Sequence, residues 1–198
     1  YQLGHMYFRY LMWNFSGRAG DVQDSAWLRP WERLAGKKFE KARNQYWMIP
    51  LLLGFFGALF QWRRDRKGFL SVAVFFLITG IVLALYLNAP PNEPRERDYI
   101  YVGSFIAFCI WIGIGILSMS RQLNRSRWGI TGVVLFCSGL PLWMLKQNYD
   151  DHNRAGRTLQ VDNGRNILRS CAPNSILFTG GDNDTFPLWY VQEVEGFR

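Results

Sequence analysis

Asn88-Ala-Pro-Pro-Asn-Glu-Pro-Arg-Glu-Arg-Asp98 is the stretch that decides how the 198-residue chain is read. Pro90, Pro91 and Pro94 each lack an N–H donor and fix φ, so none fits inside a regular helix. One helix must stop near Asn88. Another can start at Asp98, a residue type that caps helix N-termini. Long charge-free apolar runs flank the link on both sides. A short polar link between two such runs reads as a membrane hairpin.

Working outward, four apolar runs occupy residues 44–145: about 44–62, 68–88, 99–120 and 128–145. Each approaches the ~20 residues that cross a ~30 Å hydrocarbon core. The expected fold is an α-helical membrane protein with four transmembrane helices, followed by the start of an α/β extramembrane domain. Pro50 falls at the start of the first run, where proline is tolerated. Pro141 predicts a kink in the fourth. Gly103, Gly113 and Gly115 predict close helix contact in the third. The short loops beside these runs hold Arg63, Arg64, Arg66, Lys67, Arg121, Arg125 and Arg127. In the 89–98 link, Arg95 and Arg97 are offset by Glu93, Glu96 and Asp98. The positive-inside rule puts the first two loops in the cytoplasm. Residues 1–43, 89–98 and 146–198 then lie outside it, with Lys37, Lys38, Lys41 and Arg43 working against the bias.

Nine tryptophans, nine tyrosines and fifteen phenylalanines suit a chain with membrane interfaces. A net charge of +8 would suggest nucleic acid in a soluble protein. Here basic loops facing anionic lipid account for it, so the bilayer is the expected partner and nucleic acid is not. Cys109, Cys137 and Cys171 form no disulfide framework or metal spacing. The chain opens on Tyr1 and ends mid-pattern, as a fragment of a longer polytopic protein would.

Residues 1–43 read as an extracytoplasmic loop. The aromatic stretch Tyr1–Phe15, interrupted by His5 and Arg9, is an expected interfacial helix, and residues 29–43 hold one further short helix. Beyond Lys146 the expectation is a helix over 158–169, a buried strand Ser175–Thr179 between Pro173-Asn174 and Gly180-Gly181, and a helix over 186–194 with Pro187 in its first turn. Helix, strand, glycine turn and helix open an α/β domain.

Two groups carry candidate chemistry. Arg95 and Arg97 stand two apart in an extended link, so both face one way and could grip a single phosphate. The competing account is local ion pairing with Glu93, Glu96 and Asp98, and on the residues alone it is the favoured one. Asn148-Tyr149-Asp150-Asp151-His152 places two carboxylates and an imidazole at the exit of the fourth run. These residue types bind divalent metals and also transfer protons. Asp182 and Asp184 could complete such a set. The competing account is turn and cap chemistry, with Asp184 or Thr185 capping the last helix, and it is favoured over metal binding.

Four stretches carry a resemblance: Tyr7-Phe8-Arg9-Tyr10-Leu11-Met12-Trp13-Asn14-Phe15-Ser16-Gly17-Arg18; Pro90-Pro91-Asn92-Glu93-Pro94-Arg95-Glu96-Arg97-Asp98-Tyr99; Asn148-Tyr149-Asp150-Asp151-His152-Asn153-Arg154; and Gly181-Asp182-Asn183-Asp184-Thr185-Phe186-Pro187-Leu188-Trp189-Tyr190. In this order they resemble a family of bacterial polytopic membrane proteins, first classed as a domain of unknown function. That family is grouped with protein O-mannosyltransferase-like glycosyltransferases of the GT-C type. The resemblance implies an inner-membrane enzyme that moves a sugar from a polyprenyl-phosphate carrier to Ser or Thr of exported proteins, on the periplasmic face. It implies donor-phosphate contacts at Arg95 and Arg97, and acceptor-side or metal-linked groups among Asp150, Asp151, His152, Asp182 and Asp184. The catalytic acid of such enzymes sits in a first exterior loop, which this chain reads as lacking, so no catalytic residue is assigned. The alternative is a non-catalytic scaffold subunit of an export or envelope machine.

Overall fold

The computed structural model describes residues 1–35, 42–91, 95–123 and 127–197. Lys37, Lys38, Lys41, Glu93, Pro94 and Arg125, all weighed above, lie outside the described residues. Two compact units result, Tyr1–Asp151 and His152–Arg198.

The first unit begins with a π-helical turn, Gln2–Phe8, running into α1 (Arg9–Phe15). β1 (Gly17–Arg18) then pairs antiparallel with β2 (Asn44–Gln45), Gly17 opposite Gln45 and Arg18 opposite Asn44. Of the short helix expected over 29–43, the described part is a 3-10 turn, Pro30–Ala35. α2 (Ile49–Arg64) follows, with Pro50 in its first turn as expected. Asp65 alone separates α2 from α3 (Arg66–Leu77), and its carboxylate caps α3 by accepting from the Gly68 N–H at 3.0 Å. A π-helical turn, Ile78–Val82, joins α3 to α4 (Leu83–Leu87). Asn88 closes α4 in the left-handed conformation at φ 42°, a place asparagine tolerates. A 3-10 turn, Asp98–Tyr101, leads into α5 (Val102–Leu123), with the Asp98 charge in the first turn, where the helix dipole favours it. α6 (Arg127–His152) carries Pro141 inside it.

Among the described residues, two helices are long and apolar enough to cross a membrane: Arg66–Leu87 and Asp98–Arg121. Four crossings were expected. The helix replacing the first expected run has only 16 residues, about 24 Å at 1.5 Å per residue, shorter than the ~30 Å core. It starts late, because Asn44 and Gln45 are taken up in β2 and Met48 turns left-handed at φ 57°.

α2 and α5 approach until backbone meets backbone. A Cβ on Gly57 would strike the Trp111 carbonyl, and one on Gly115 the Leu53 carbonyl. Small residues allow this contact where packing rather than hydrophobic drive joins helices. Gly113, expected to share that role, faces open space.

The aromatic N-terminal stretch packs on the helices, burying Met6, Tyr7, Tyr10 and Trp13 against Ala84 and Tyr101, while Tyr1 and Phe8 stay exposed. Leu11 and Phe15 pack on Leu51, Phe108 and Trp111. The polar tips find partners, which makes burial affordable for such rings. The Tyr7 hydroxyl lies 2.6 Å from Ser104 Oγ, and Trp13 Nε1 donates to the Ser25 carbonyl at 3.0 Å.

The second unit holds α7 (Leu159–Ser170) and α8 (Asp182–Trp189), the latter extended by a π-helical turn, Tyr190–Val194. Leu168, Leu188 and Val191 form its core. α8 starts four residues earlier than expected, so Pro187 lies inside it. Thr185 does not cap: its hydroxyl donates back to the Gly181 carbonyl at 2.8 Å. Asp184 sits in the first turn beside Asp182. The buried strand expected over Ser175–Thr179 is not formed. No neighbouring strand pairs with it among the described residues, and Ile176 and Phe178 face solvent.

Candidate functional site

The 88–98 link is tied to α1 through Glu96, and this carboxylate is the centre of the best-built polar site. Arg9 donates to it with both terminal nitrogens, Nη1 to Oε1 and Nη2 to Oε2, each at 2.9 Å. The Tyr10 hydroxyl donates to Oε2, and the Asp24 backbone N–H donates to Oε1 at 2.6 Å. Arg9 is 6 % exposed and Glu96 18 %. Fork-to-fork pairing of this kind fixes geometry as well as energy. Arg9 Nε donates further to the His5 carbonyl at 3.0 Å, and its guanidinium lies 4.5 Å from the Trp13 ring. His5 Nε2 and Asp24 Oδ1, 2.9 Å apart, close the outer edge.

Burial by itself would raise the Glu96 carboxyl. Hydrogen bonds from Arg9, Tyr10 and the Asp24 N–H, with the Arg9 charge, outweigh it and hold the group down at about 2. Tyr10 goes the other way: burial, then the bond to Glu96, push its hydroxyl up.

Arg95 and Arg97 do not share an environment. Arg95 is exposed. Arg97 is half-buried beside Leu87 and Tyr101, lining a cavity of about 110 Å³, and its backbone N–H donates to the Tyr10 hydroxyl at 3.3 Å. Ion pairing of these arginines with Glu93 lies outside the described residues. Glu96, read from sequence only as a local counter-charge, is spent on Arg9 instead. The alternation expected to turn Arg95 and Arg97 the same way fails because the link is not extended at Arg97, where ψ is 43°.

A second polar cluster forms where α6 leaves its apolar run. Asn44 Nδ2 donates to Asp151 Oδ2 at 2.7 Å and to Asn148 Oδ1 at 3.1 Å. The Tyr46 hydroxyl donates to Asn148 Oδ1 at 2.9 Å, and Trp143 Nε1 to the Gln45 carbonyl at 3.0 Å. Asp21 comes up against Asp151. Burial, the Asp151 charge and a hydrogen bond to Asp151 raise its carboxyl, while Arg18, 3.6 Å away, pulls it down. Asp21 and Asn44 escaped sequence reasoning because both lie in loop sequence without a motif. Asp150 and His152 are exposed.

Asp182 and Asp184 lie in the second unit, exposed on the first turn of α8. Among the described residues, no three His, Cys, Asp or Glu side chains converge as a metal ion would require.

Residues 160–198 match the family described as TMEM260-associated domain 2. The match covers most of the second unit and none of the apolar helices. No curated protein and no solved structure matches the chain. The family match and two helices able to span a bilayer together point to a membrane-associated protein.

Proposed function

We propose that this chain is part of an integral-membrane GT-C-like glycosyltransferase that moves a sugar from a polyprenyl-phosphate carrier to Ser or Thr of exported proteins. In this reading α2, the Arg66–Leu87 helix, α5 and α6 lie in the inner membrane. The polar segments before α2, after α4 and after α6 share the periplasmic side. Arg95 and Arg97 contact the donor diphosphate or phosphate, and Asp150, Asp151 and His152 face the acceptor, with Asp182 and Asp184 belonging to the adjoining periplasmic domain.

The observation that supports it is convergence. Stretch 7–18 meets stretch 90–99 directly, through Arg9, Tyr10 and Glu96. It reaches stretch 148–151 through Asn44, which pairs with Arg18 in the sheet and bonds Asp151. Three of the four resembling stretches, far apart in sequence, thus join one polar shelf in the first unit. Exposed Arg95 is free of the Glu96 pairing that would otherwise neutralise it.

The test uses the full-length protein with a polyprenyl-phosphate sugar and a Ser/Thr peptide, and transfer followed by mass spectrometry. Arg95→Ala with Arg97→Ala should raise donor KM at least tenfold, the effect of losing about 1.4 kcal/mol or more of phosphate binding. Unchanged donor KM removes the arginines from the site. No transfer from any polyprenyl-phosphate sugar removes the enzyme.

A further inference from the structure

Arg63, Arg64, Arg66 and Lys67 crowd four cations into five residues, with Asp65 the one acidic residue among them. They stand at the corner where α2 ends and α3 begins. Arg63 and Arg64 fall in the last turn of α2, whose C-terminal end favours positive charge. Arg66 and Lys67 open α3, whose N-terminal end favours negative charge instead, and its first turn holds no acidic residue. Asp65 is already committed, its Oδ1 accepting from the Gly68 N–H at 3.0 Å. Among the described residues, none of the four cations is in an ion pair with a carboxylate. All four are exposed. An anion seated here relieves both the mutual repulsion and the mismatch with the α3 dipole.

The backbone carrying these cations is held firmly. Gln61 Oε1 accepts from Trp111 Nε1 at 3.0 Å, which pins the end of α2 to α5. Trp62 meets the Phe69 ring edge-on with centroids 5.0 Å apart, and Phe69 stacks on Trp111 at 5.6 Å. The Arg66 guanidinium lies 5.5 Å from the centre of the Trp62 ring. A corner fixed in this way loses less freedom on binding than a flexible basic tail does.

Position identifies the anion. Arg66 and Lys67 are the first two residues of Arg66–Leu87, a helix long and apolar enough to cross a bilayer. When that helix spans, its first turn stands at the phosphate layer. Trp62, 42 % exposed, is a residue type that settles at the same depth. Phospholipid phosphates crowd that layer, and guanidinium groups take phosphate with two parallel hydrogen bonds.

We propose that Arg63, Arg64, Arg66 and Lys67, at the corner between α2 and α3, bind the headgroup of an anionic membrane phospholipid. The site requires only that Arg66–Leu87 crosses a membrane, so it stands or falls separately from sugar transfer.

The test uses the full-length protein in an uncharged detergent. Phosphatidylglycerol and phosphatidylcholine with the same acyl chains are added, and native mass spectrometry counts the lipid retained. Phosphatidylglycerol should bind at least tenfold more tightly. Each basic residue facing anionic lipid is worth about fivefold in affinity, so Arg66→Gln with Lys67→Gln should weaken phosphatidylglycerol binding at least tenfold, and Arg63→Gln with Arg64→Gln likewise. Arg154→Gln with Arg157→Gln, an equal loss of charge in the second unit, should change it by less than about twofold. Without lipid, Arg66→Gln with Lys67→Gln should melt no lower than the wild type, because it removes charges that the α3 dipole opposes; its lost binding is then not lost folding. Equal binding of the two lipids overturns the proposal. So does an equal loss from the Arg154 and Arg157 variant, which makes net charge the cause. Inorganic phosphate bound as tightly as phosphatidylglycerol overturns it too, since the corner then reads a free anion.

Discussion

Arg9 and Glu96, 87 residues apart, form a two-pronged ion pair with both N–O distances at 2.9 Å. Arg9 is almost wholly buried, so the pair holds the link between α4 and α5 against α1 and fixes which side chains of the link face outward.

Removing one partner should be costly. Arg9→Ala leaves the Glu96 carboxylate half-buried with its main counter-charge gone. Breaking a buried pair costs roughly 3–5 kcal/mol, and the residual exposure of Glu96 places this case near 3 kcal/mol. Thermal unfolding of the detergent-solubilised protein should show a lower Tm for Arg9→Ala than for Arg9→Lys, which keeps the charge and loses the fork.

The same pair sets an acid limit. The Glu96 carboxyl is held at about 2, below its ordinary value of 4.5. A depressed carboxyl stabilises the fold above its unfolded value, because the unfolded chain takes up the proton first as pH falls. The contribution should therefore be complete above pH 4.5 and drain away between there and pH 2. Glu96→Gln should flatten the stability curve in that window. A wild-type curve as flat as that of Glu96→Gln would contradict the pairing.

Asp21 should behave in the opposite sense. Its carboxyl is raised, by burial and then by Asp151, so the folded state holds a proton the unfolded chain would release. Stability tied to that proton is present at low pH and lost as pH rises through the raised value. Asp21→Asn should stabilise the protein at pH 7 by about 0.5 kcal/mol, the scale of a partly exposed charge pair. At pH 3 the gain should vanish, and chemical unfolding at the two pH values checks it.

How much of this was legible beforehand varies with the kind of interaction. The helix stop at Asn88 and the place of Pro50 follow from local backbone rules that a short window displays. The burial of Tyr7 and Tyr10 does not, because an aromatic face looks the same whether lipid or protein covers it. Glu96 was visible as a charge among charges; its true partner is 87 residues away, and no local rule reaches that far. Ser175–Thr179 reads as a buried strand because its composition is that of one, yet pairing depends on a neighbour the pattern does not contain.

Helix packing gives a steric prediction. Gly57→Ala should destabilise by about 1–3 kcal/mol, the usual cost of overpacking, because its Cβ meets the Trp111 carbonyl and a backbone cannot swing aside. Gly113→Ala, with open space around it, should be neutral or slightly stabilising. Tm values of the two variants, measured side by side, decide the matter.

The wide gap between Arg9 and its carboxylate also has a meaning for biosynthesis. A guanidinium cannot leave water without a counter-ion, and the one it uses is made 87 residues later. At 5–20 residues per second, the nascent segment around Arg9 waits roughly 4–17 s for that partner. α1 therefore docks only once the link after α4 has been made, and the ribosome, through its pace, governs when the two can join.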